Sequence, residues 1–170
     1  MPPRKKATAP PPSPRMVEVM LQKAPPHDME AEQSVLGAIM YYKRAMEDLS
    51  DKLRPEDFYS PAHGAIWAAA LDLFRTNTPV DLVTVCDALT KRKQLDAAGG
   101  PVYLAELADT PVSSVSAKYH ADIVSEHAMR RDIESSCLGM LKGVRDSAVT
   151  VQDLVGSSTR ALAEDRKSVV

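Results

Sequence analysis

The chain has 170 residues, 44% of them hydrophobic, which suits one domain with appendages and a hydrophobic core. Its 21 basic and 23 acidic side chains nearly balance, which argues against a dedicated nucleic-acid clamp, because such a domain would be strongly basic. No apolar run is long enough to cross a bilayer, and the two cysteines, Cys86 and Cys137, form no pair motif, so we expect a cytoplasmic protein with reduced thiols.

The first 24 residues are predicted to form a flexible tail. Residues 1–24 are rich in proline and basic residues and lack the apolar core of a secretory signal. Little apolar surface is present to offset the entropy lost when a backbone becomes ordered. The basic cluster Arg4-Lys5-Lys6 could contact nucleic acid or an acidic partner, but a solvated tail is the simpler interpretation.

Residues 25–111 are predicted to form a helical head, whose first helix begins after Asp28. Asp28 suits the N-cap position, and Glu30 and Glu32 suit the positive end of the helix dipole. Gly37 inside this helix costs about 1 kcal/mol relative to alanine, and close approach of a neighbouring helix would justify it. The predicted apolar face consists of Val35, Leu36, Ile39 and Met40.

More helices are predicted in the middle of the head. After a short helix over residues 44–53 and a tight turn at Pro55, Ser60 provides an N-cap and Pro61 a first helical residue. Asp81 caps the following helix, which ends in three basic residues. The predicted buried stripes are Ile66, Trp67, Ala70, Leu71, Leu73 and Phe74 in one helix, and Leu82, Val85, Cys86 and Leu89 in the next.

A glycine pair divides the last part of the head. Gly99 and Gly100 are interpreted as a helix stop, and Pro101 as the start of a short helix. The inward-facing residues of that helix are predicted to be Tyr103, Leu104 and Leu107. No stretch alternates with a period of two, so the predicted fold class is all-α, a small multi-helix globular head followed by a long helical hairpin.

The last segment, residues 112–170, is predicted to be this hairpin, leading towards a linker. One long helix covers Ser114 to about Arg145, and its apolar residues, Tyr119 and Ile123 among them, recur at spacings of three and four. A hairpin cannot cover all its own apolar surface, so we expect contacts with a second copy or with another protein, although several residues could simply hold the two hairpin helices together. The candidate contacts are Ile133, Cys137, Met140, Leu141, Val144, Leu154, Val155 and Leu162.

The four histidines do not predict a metal site. His120 and His127 are seven residues apart, roughly 10 Å along a helix, and this is too far to share a zinc ion. His27 and His63 each lie beside a helix start, where an imidazole commonly bonds a backbone group. We therefore expect all four histidines to be structural.

No catalytic or cofactor site is predicted either. Cys86 and Cys137 lie on apolar stripes without an activating neighbour, so they are expected to be small core residues. The glycine pair lacks the Lys-Ser/Thr sequence that completes a phosphate loop. The carboxylates are expected to be scattered over solvated faces. Nothing in the sequence therefore supports an active site.

Two interpretations of different classes remain. In one, residues 81–95 form the recognition helix of a helix-turn-helix DNA-binding module. The basic residues of that helix lie at its end, however, whereas such helices read bases mainly from their N-terminal part. In the other interpretation a helical head recruits partners and a hairpin oligomerises. Composition and apolar pattern favour the assembly module.

Several blocks of the sequence resemble the N-terminal domain of the bacterial replicative DNA helicase, the DnaB family. In order, the blocks are PPHDMEAEQSVLGAIM, PEDFYSPAHGAIW, TPVDLVTVCDAL, LDAAGGPVYLAELADT and YHADIVSEHAMRRDI, and they span residues 25–135 with matching spacing. The hairpin after Ser135 is less similar, and the basic tail is longer than the family needs. Gly64 and Ala65 stand where bulkier residues are expected, which predicts a tighter helix contact there.

The resemblance implies a non-catalytic collar domain. In this family hairpins pair between subunits of a hexameric ring, the C-terminal domain of primase docks on the collar, helicase loaders act on the ring, and the collar guides single-stranded DNA. ATP and magnesium would bind only in a separate motor domain, which we expect the natural gene to encode after residue 170, so that the parent is an ATP-dependent helicase. The alternative is a standalone adaptor or decoy that binds primase.

Overall fold

The computed structural model describes residues 22–42, 44–110, 113–145, 150–153 and 155–156. Every regular element within these ranges is helical, and the predicted all-α fold class is confirmed. The second arm of the predicted hairpin is described only near its start, where the chain is helical. No helix in the described part of the chain combines the length and apolarity needed to span a bilayer.

The α-helices follow one another with short connections. One turn of 3₁₀ helix, Pro55–Asp57, stands where the sequence predicted a tight turn. Numbered in chain order, the helices are α1 Met29–Tyr41, α2 Ala45–Leu49, α3 Pro61–Arg75, α4 Leu82–Lys91, α5 Gly100–Ala108 and α6 Ser114–Arg145.

Three helix starts are capped as the sequence predicted. The Asp28 carboxylate accepts a hydrogen bond of 3.0 Å from the Ala31 amide at the start of α1. Ser60 caps α3, with Pro61 as its first residue. Asp81 accepts from the Thr84 amide at 2.9 Å before α4. These local bonds satisfy amides that have no partner inside the helix, and they fix where each helix begins.

α1 is the central helix of the head, and the prediction of a single apolar face was too narrow. The four predicted residues are buried, but other positions around the helix are buried as well. The physical reason is that α3, α5 and α6 all pack against α1, so almost no side of it meets water. The additional buried residues are Ala31, Glu32, Ser34, Gly37 and Ala38.

Trp67 is the largest fully buried side chain of the core. Its ring packs near Phe58 at a centroid distance of 5.5 Å. The indole N–H donates to the carbonyl of Leu53 at 3.2 Å, so the buried polar group of the tryptophan is satisfied. α2 ends at Leu49, four residues earlier than predicted. Leu53 is nevertheless buried, because the chain after α2 turns towards the core.

The glycine pair begins a helix rather than ending one, which corrects the prediction of a helix stop. α4 ends at Lys91, well before the pair. Gly99 adopts φ +98° at the N-cap of α5, and Gly100 adopts φ +78°. Such positive φ values strain other residues, so the pair allows the sharp turn into α5.

The long helix runs from Ser114 to Arg145, as predicted, but a different face is buried. Of the apolar residues in its predicted pattern, Tyr119 is 67% exposed and Ile123 is partly buried. Small residues face α1 instead, because they allow the two helix axes to come close. This buried face consists of Ala117, Ala121, Val124 and Ala128. The first half of α6 therefore completes the core of the head, and a domain boundary near residue 111 stays a prediction.

Two glycines lie at close helix contacts, as the sequence predicted. A Cβ added at Gly37 would lie 2.5 Å from the carbonyl oxygen of Leu107 in α5. A Cβ added at Gly64 would lie 2.6 Å from the carbonyl oxygen of Pro55. Both of these near atoms belong to the backbone, so a Cβ could be accommodated only if a whole segment of chain moved.

Gly37→Ala should lower the free energy of unfolding by about 1–3 kcal/mol, because α5 must move away from α1. Gly139→Ala is the matched control, since no atom lies within 4 Å of a Cβ at that position of α6. It should raise the stability by up to about 1 kcal/mol through helix propensity alone. Urea unfolding followed by circular dichroism measures both values, and equal shifts would contradict the close contact.

Candidate functional site

An apolar stripe lies on the distal half of α6, residues 132–145. The apolar stripe is defined here as Ile133, Cys137, Met140, Leu141 and Val144. Ile133, Leu141 and Val144 are 49%, 44% and 72% exposed. Met140 is partly buried, and Cys137 is exposed, which corrects the expectation that this cysteine is a core residue. The correction arises because α6 leaves the head before it reaches Cys137.

The stripe has the spacing of a helix-pairing seam. Positions 133, 137, 140 and 144 alternate steps of four and three, so they share one side of the helix over about 16 Å. A second helix laid along this side would remove several large side chains from water. Exposed apolar side chains grouped in this way mark protein interaction sites more often than isolated ones do.

The remaining predicted contact residues lie beyond α6. Val155 is 61% exposed in the described start of the second hairpin arm. Leu154 and Leu162 lie outside the described residues. The structure thus places the five stripe residues on one helix, and the assignment of all eight residues to a partner stays a prediction.

The histidines occupy structural positions with different partners. His27 bonds the carbonyl of Pro25 through Nδ1 at 2.7 Å, as expected for a histidine beside a helix start. His63 bonds two side chains instead of a backbone group, which corrects that part of the prediction. His120 and His127 each bury an Nδ1 atom without a partner, on α6. Within the described residues no group of three potential ligands is placed to hold a metal ion.

A buried polar network centred on His63 joins three elements of the head. Its Nδ1 lies 2.6 Å from the Glu32 carboxylate of α1, and this N–H donates because an ionised carboxylate can only accept. Its Nε2 lies 2.6 Å from the hydroxyl of Tyr103 in α5. Gln33 donates to the same hydroxyl at 3.3 Å. Both His63 and Glu32 are 1% exposed, so substrate has no access to them and their role is to connect helices.

Glu32 is the main correction to the expectation of solvated carboxylates. It was predicted to interact with the helix dipole at the surface, yet the structure buries it completely. Its oxygens accept hydrogen bonds from the Tyr59 amide at 2.6 Å and from the Ser60 amide at 3.3 Å, in addition to the bond from the His63 ring. α3 and the loop before it therefore converge on this one carboxylate of α1, and its charge is compensated as a buried charge requires.

Arg131 connects the long helix to the segment before α1 and to the 3₁₀ turn. Its guanidinium donates to the carbonyl of Pro26 at 2.8 Å and to the carbonyl of Asp57 at 2.5 Å. It also lies over the ring of Tyr59, 5.9 Å from the ring centroid.

Burial raises the pKa of the Asp57 carboxyl, and the hydrogen bond from the Arg54 amide opposes that rise.

The basic end of α4 gives no support to a DNA-binding helix. Lys91 pairs with Asp87 at 2.6 Å on the same helix. Arg92 pairs with Asp72 of α3. Two of the three basic residues that were considered for phosphate contacts are therefore already matched by carboxylates of the head.

The described part of the chain is thus a helical head that carries a long helix with an exposed apolar side. The family model for the DnaB-like helicase N terminal domain matches residues 24–126. The chain therefore belongs to the family of DnaB-like helicase N-terminal domains, as the sequence blocks indicated.

The chain is similar to the N-terminal part of much longer bacterial proteins. Replicative DNA helicase DnaB of Geobacillus stearothermophilus is 42% identical over 116 residues, which cover 68% of this chain and 26% of that protein. The same helicase of Leifsonia xyli subsp. xyli is 41% identical over 110 residues, covering 65% and 24%. That of Mycobacterium leprae is 43% identical over 109 residues, covering 64% and 18%. The chain thus spans about a quarter or less of these relatives.

Solved structures show the same fold. The crystal structure of the N-terminal domain of DnaB helicase from Mycobacterium tuberculosis matches with a TM-score of 0.77 and 36% identity, covering 84% of this chain and 99% of that one. A structure of a DnaB-like replicative helicase and its interactions with primase matches with a TM-score of 0.67 and 27% identity, covering 81% of this chain and 31% of the helicase.

The contacts of Arg131 and the partners of Glu32 were not predicted from the sequence. Arg131 follows Ala128 by three residues and so continues the buried face of α6, and this spacing was the available signal. Glu32, His63 and Tyr103 lie far apart in sequence, and no local pattern predicts that three helices bring them together. Their network is a product of tertiary packing.

The two thiols should differ in reactivity because the thiolate is the nucleophile. Burial raises the pKa of Cys86, while Cys137 is exposed on the apolar stripe. With a thiol-reactive dye at neutral pH we expect one fast thiol and one about tenfold slower or more. Cys137→Ser should abolish the fast phase. Loss of the fast phase in Cys86→Ser instead would contradict the placement of the two residues.

Proposed function

We propose that this chain is the N-terminal assembly module of a replicative DNA helicase. The apolar stripe on α6 carries the proposal, because it is a pairing surface outside the core of the head. Membership of the DnaB-like family supports it, since the relatives are replicative helicases. In this function α6 of one copy pairs with α6 of another, and the paired modules form a collar on a ring.

The energetics of the stripe suit contacts that are reinforced by a ring. Each fully buried Ile, Leu or Val side chain contributes about 1.5–3 kcal/mol, whereas association costs at least about 4 kcal/mol in lost freedom of motion. Isolated modules should therefore pair weakly. Pairing strengthens when the copies are already held together by other parts of a ring, since the local concentration is then high.

Partners other than a second copy follow from the same assignment. The structural likeness to a helicase studied with primase supports docking of the C-terminal domain of primase on this module. We extend the proposal to a helicase loader, to single-stranded DNA guided by the assembled collar, and to a cytoplasmic location. Under this proposal ATP and magnesium are bound by a motor region elsewhere in the parent helicase, and this module contributes no catalysis.

Leu141→Asp should weaken self-association at least tenfold, because it places a charge on the apolar stripe. Ser135→Asp is the matched control, with the same added charge on an exposed residue on the opposite side of α6. Sedimentation velocity over a range of concentrations measures the dimerisation constant. Equal constants for the two variants, with native circular dichroism, would show that the stripe is not the contact.

Titration with the purified helicase-binding domain of primase separates recruitment from self-association. Isothermal titration calorimetry on this chain should give a binding constant in the micromolar range, typical of a transient assembly. Binding that survives Leu141→Asp would place primase on another surface than the stripe. Absence of heat up to about 100 µM would contradict primase docking on this module.

A further inference from the structure

Arg131 lies where α6 leaves the head. Ala128 is the last buried residue of α6 in the described part of the chain, and Arg131 is the next residue on the same face. From this point to Arg145 the helix extends by 14 residues, which is about 21 Å. A tilt of about 10° at Arg131 would therefore displace the end of α6 by about 4 Å.

The Arg131 guanidinium donates hydrogen bonds to two separate segments of the head. One is the carbonyl of Pro26, which precedes α1, and the other is the carbonyl of Asp57, which ends the 3₁₀ turn. Two N–H groups of one rigid plane make these two bonds, so they restrain rotation as well as distance. Arg130, the preceding residue, pairs with Glu126 along its own helix.

Aromatic stacking holds the same three segments together. The ring of His27 stacks on the ring of Tyr59 at a centroid distance of 4.1 Å and an angle of 13°. Arg131 lies over the Tyr59 ring. The segment before α1, the loop before α3 and the long helix thus meet in one stack, which restrains the planes of all three groups.

The loop that receives Arg131 is fixed from behind by the buried network. The Tyr59 amide donates to Glu32 at 2.6 Å, and Glu32 is held by His63, which is held by Tyr103. Contacts therefore run without interruption from α5, through the core, to the guanidinium. Through these contacts, the packing of the head restrains the direction in which the distal half of α6 continues beyond the head.

We propose that Arg131 is a positioning residue that fixes the direction in which the distal half of α6 leaves the head. Under the proposed function this direction sets the angle between neighbouring modules in a collar, and that consequence rests on the proposed function. The positioning itself belongs to a single chain. It depends on the two-carbonyl contact, so a lysine, which offers a single ammonium on a flexible stem, does not replace it.

The test measures a distance within one chain. Spin labels are attached to the native Cys137 on α6 and to a cysteine introduced by Val83→Cys on α4, where Val83 is 76% exposed. Cys86→Ala removes the second native thiol. The labelled chain is mixed with an excess of unlabelled chain in which Cys137→Ser and Cys86→Ala remove both thiols, so that only pairs within a chain are seen. Double electron–electron resonance then gives the width of the distance distribution.

The expected result is a narrow distribution for the parent and at least a twofold wider one for Arg131→Ala, with Arg131→Lys also widened. Should Arg131→Ala fail to fold, Arg131→Lys carries the test. Arg130→Ala is the neighbouring control, and Val85→Ala is the stability control, because Val85 is a fully buried core residue of α4. Both controls should keep the narrow distribution.

An unchanged width in Arg131→Ala, even with a lowered melting temperature, would overturn the proposal and leave Arg131 as a stabilising residue only. Widening in Val85→Ala equal to that in Arg131→Ala would overturn it as well, because loss of stability would then explain both. Neither result depends on self-association. A failure of the proposed function appears separately, in the sedimentation of Leu141→Asp.

Discussion

The buried carboxylate of Glu32 is the constraint on which the arrangement of the head depends. Glu32 belongs to α1, the central helix, and its carboxylate accepts hydrogen bonds from the His63 N–H and from two backbone amides. A buried charge without such partners costs about 3–5 kcal/mol, so α1, α3 and the loop before α3 must keep one geometry. The close contact at Gly37 adds α5 to this set, because the helices can meet there only without a side chain.

The long helix serves two environments along one axis. Its first half presents small residues such as Ala117 and Ala121 to α1, where close packing excludes larger ones. Its distal half carries larger apolar side chains, and Leu141 and Val144 remain substantially exposed. The change occurs at Arg131, whose polar head can bond backbone carbonyls at the edge of the core. A single helix thus links the packing of the head to an exposed apolar surface outside it.

This arrangement explains how the module uses its polar side chains. Its titratable groups are used for connection: His63 and Glu32 join helices, and Arg131 joins α6 to two carbonyls. Rigidity at these points lowers the conformational entropy that association has to overcome. A surface presented in one direction by a rigid support is what a symmetric ring requires, because every copy must offer the same geometry to its neighbour.

Features that depend on local physics were predictable from the sequence alone. Asp28, Ser60 and Asp81 predicted helix starts because caps act within three residues, and apolar periodicity predicted an all-helical chain with a helix from Ser114 to Arg145. Tertiary packing, in contrast, establishes which face of α6 is buried, that Glu32 is enclosed and that Arg131 reaches the loop before α3. Those outcomes depend on which helices meet, and contacts between residues distant in sequence leave no local pattern.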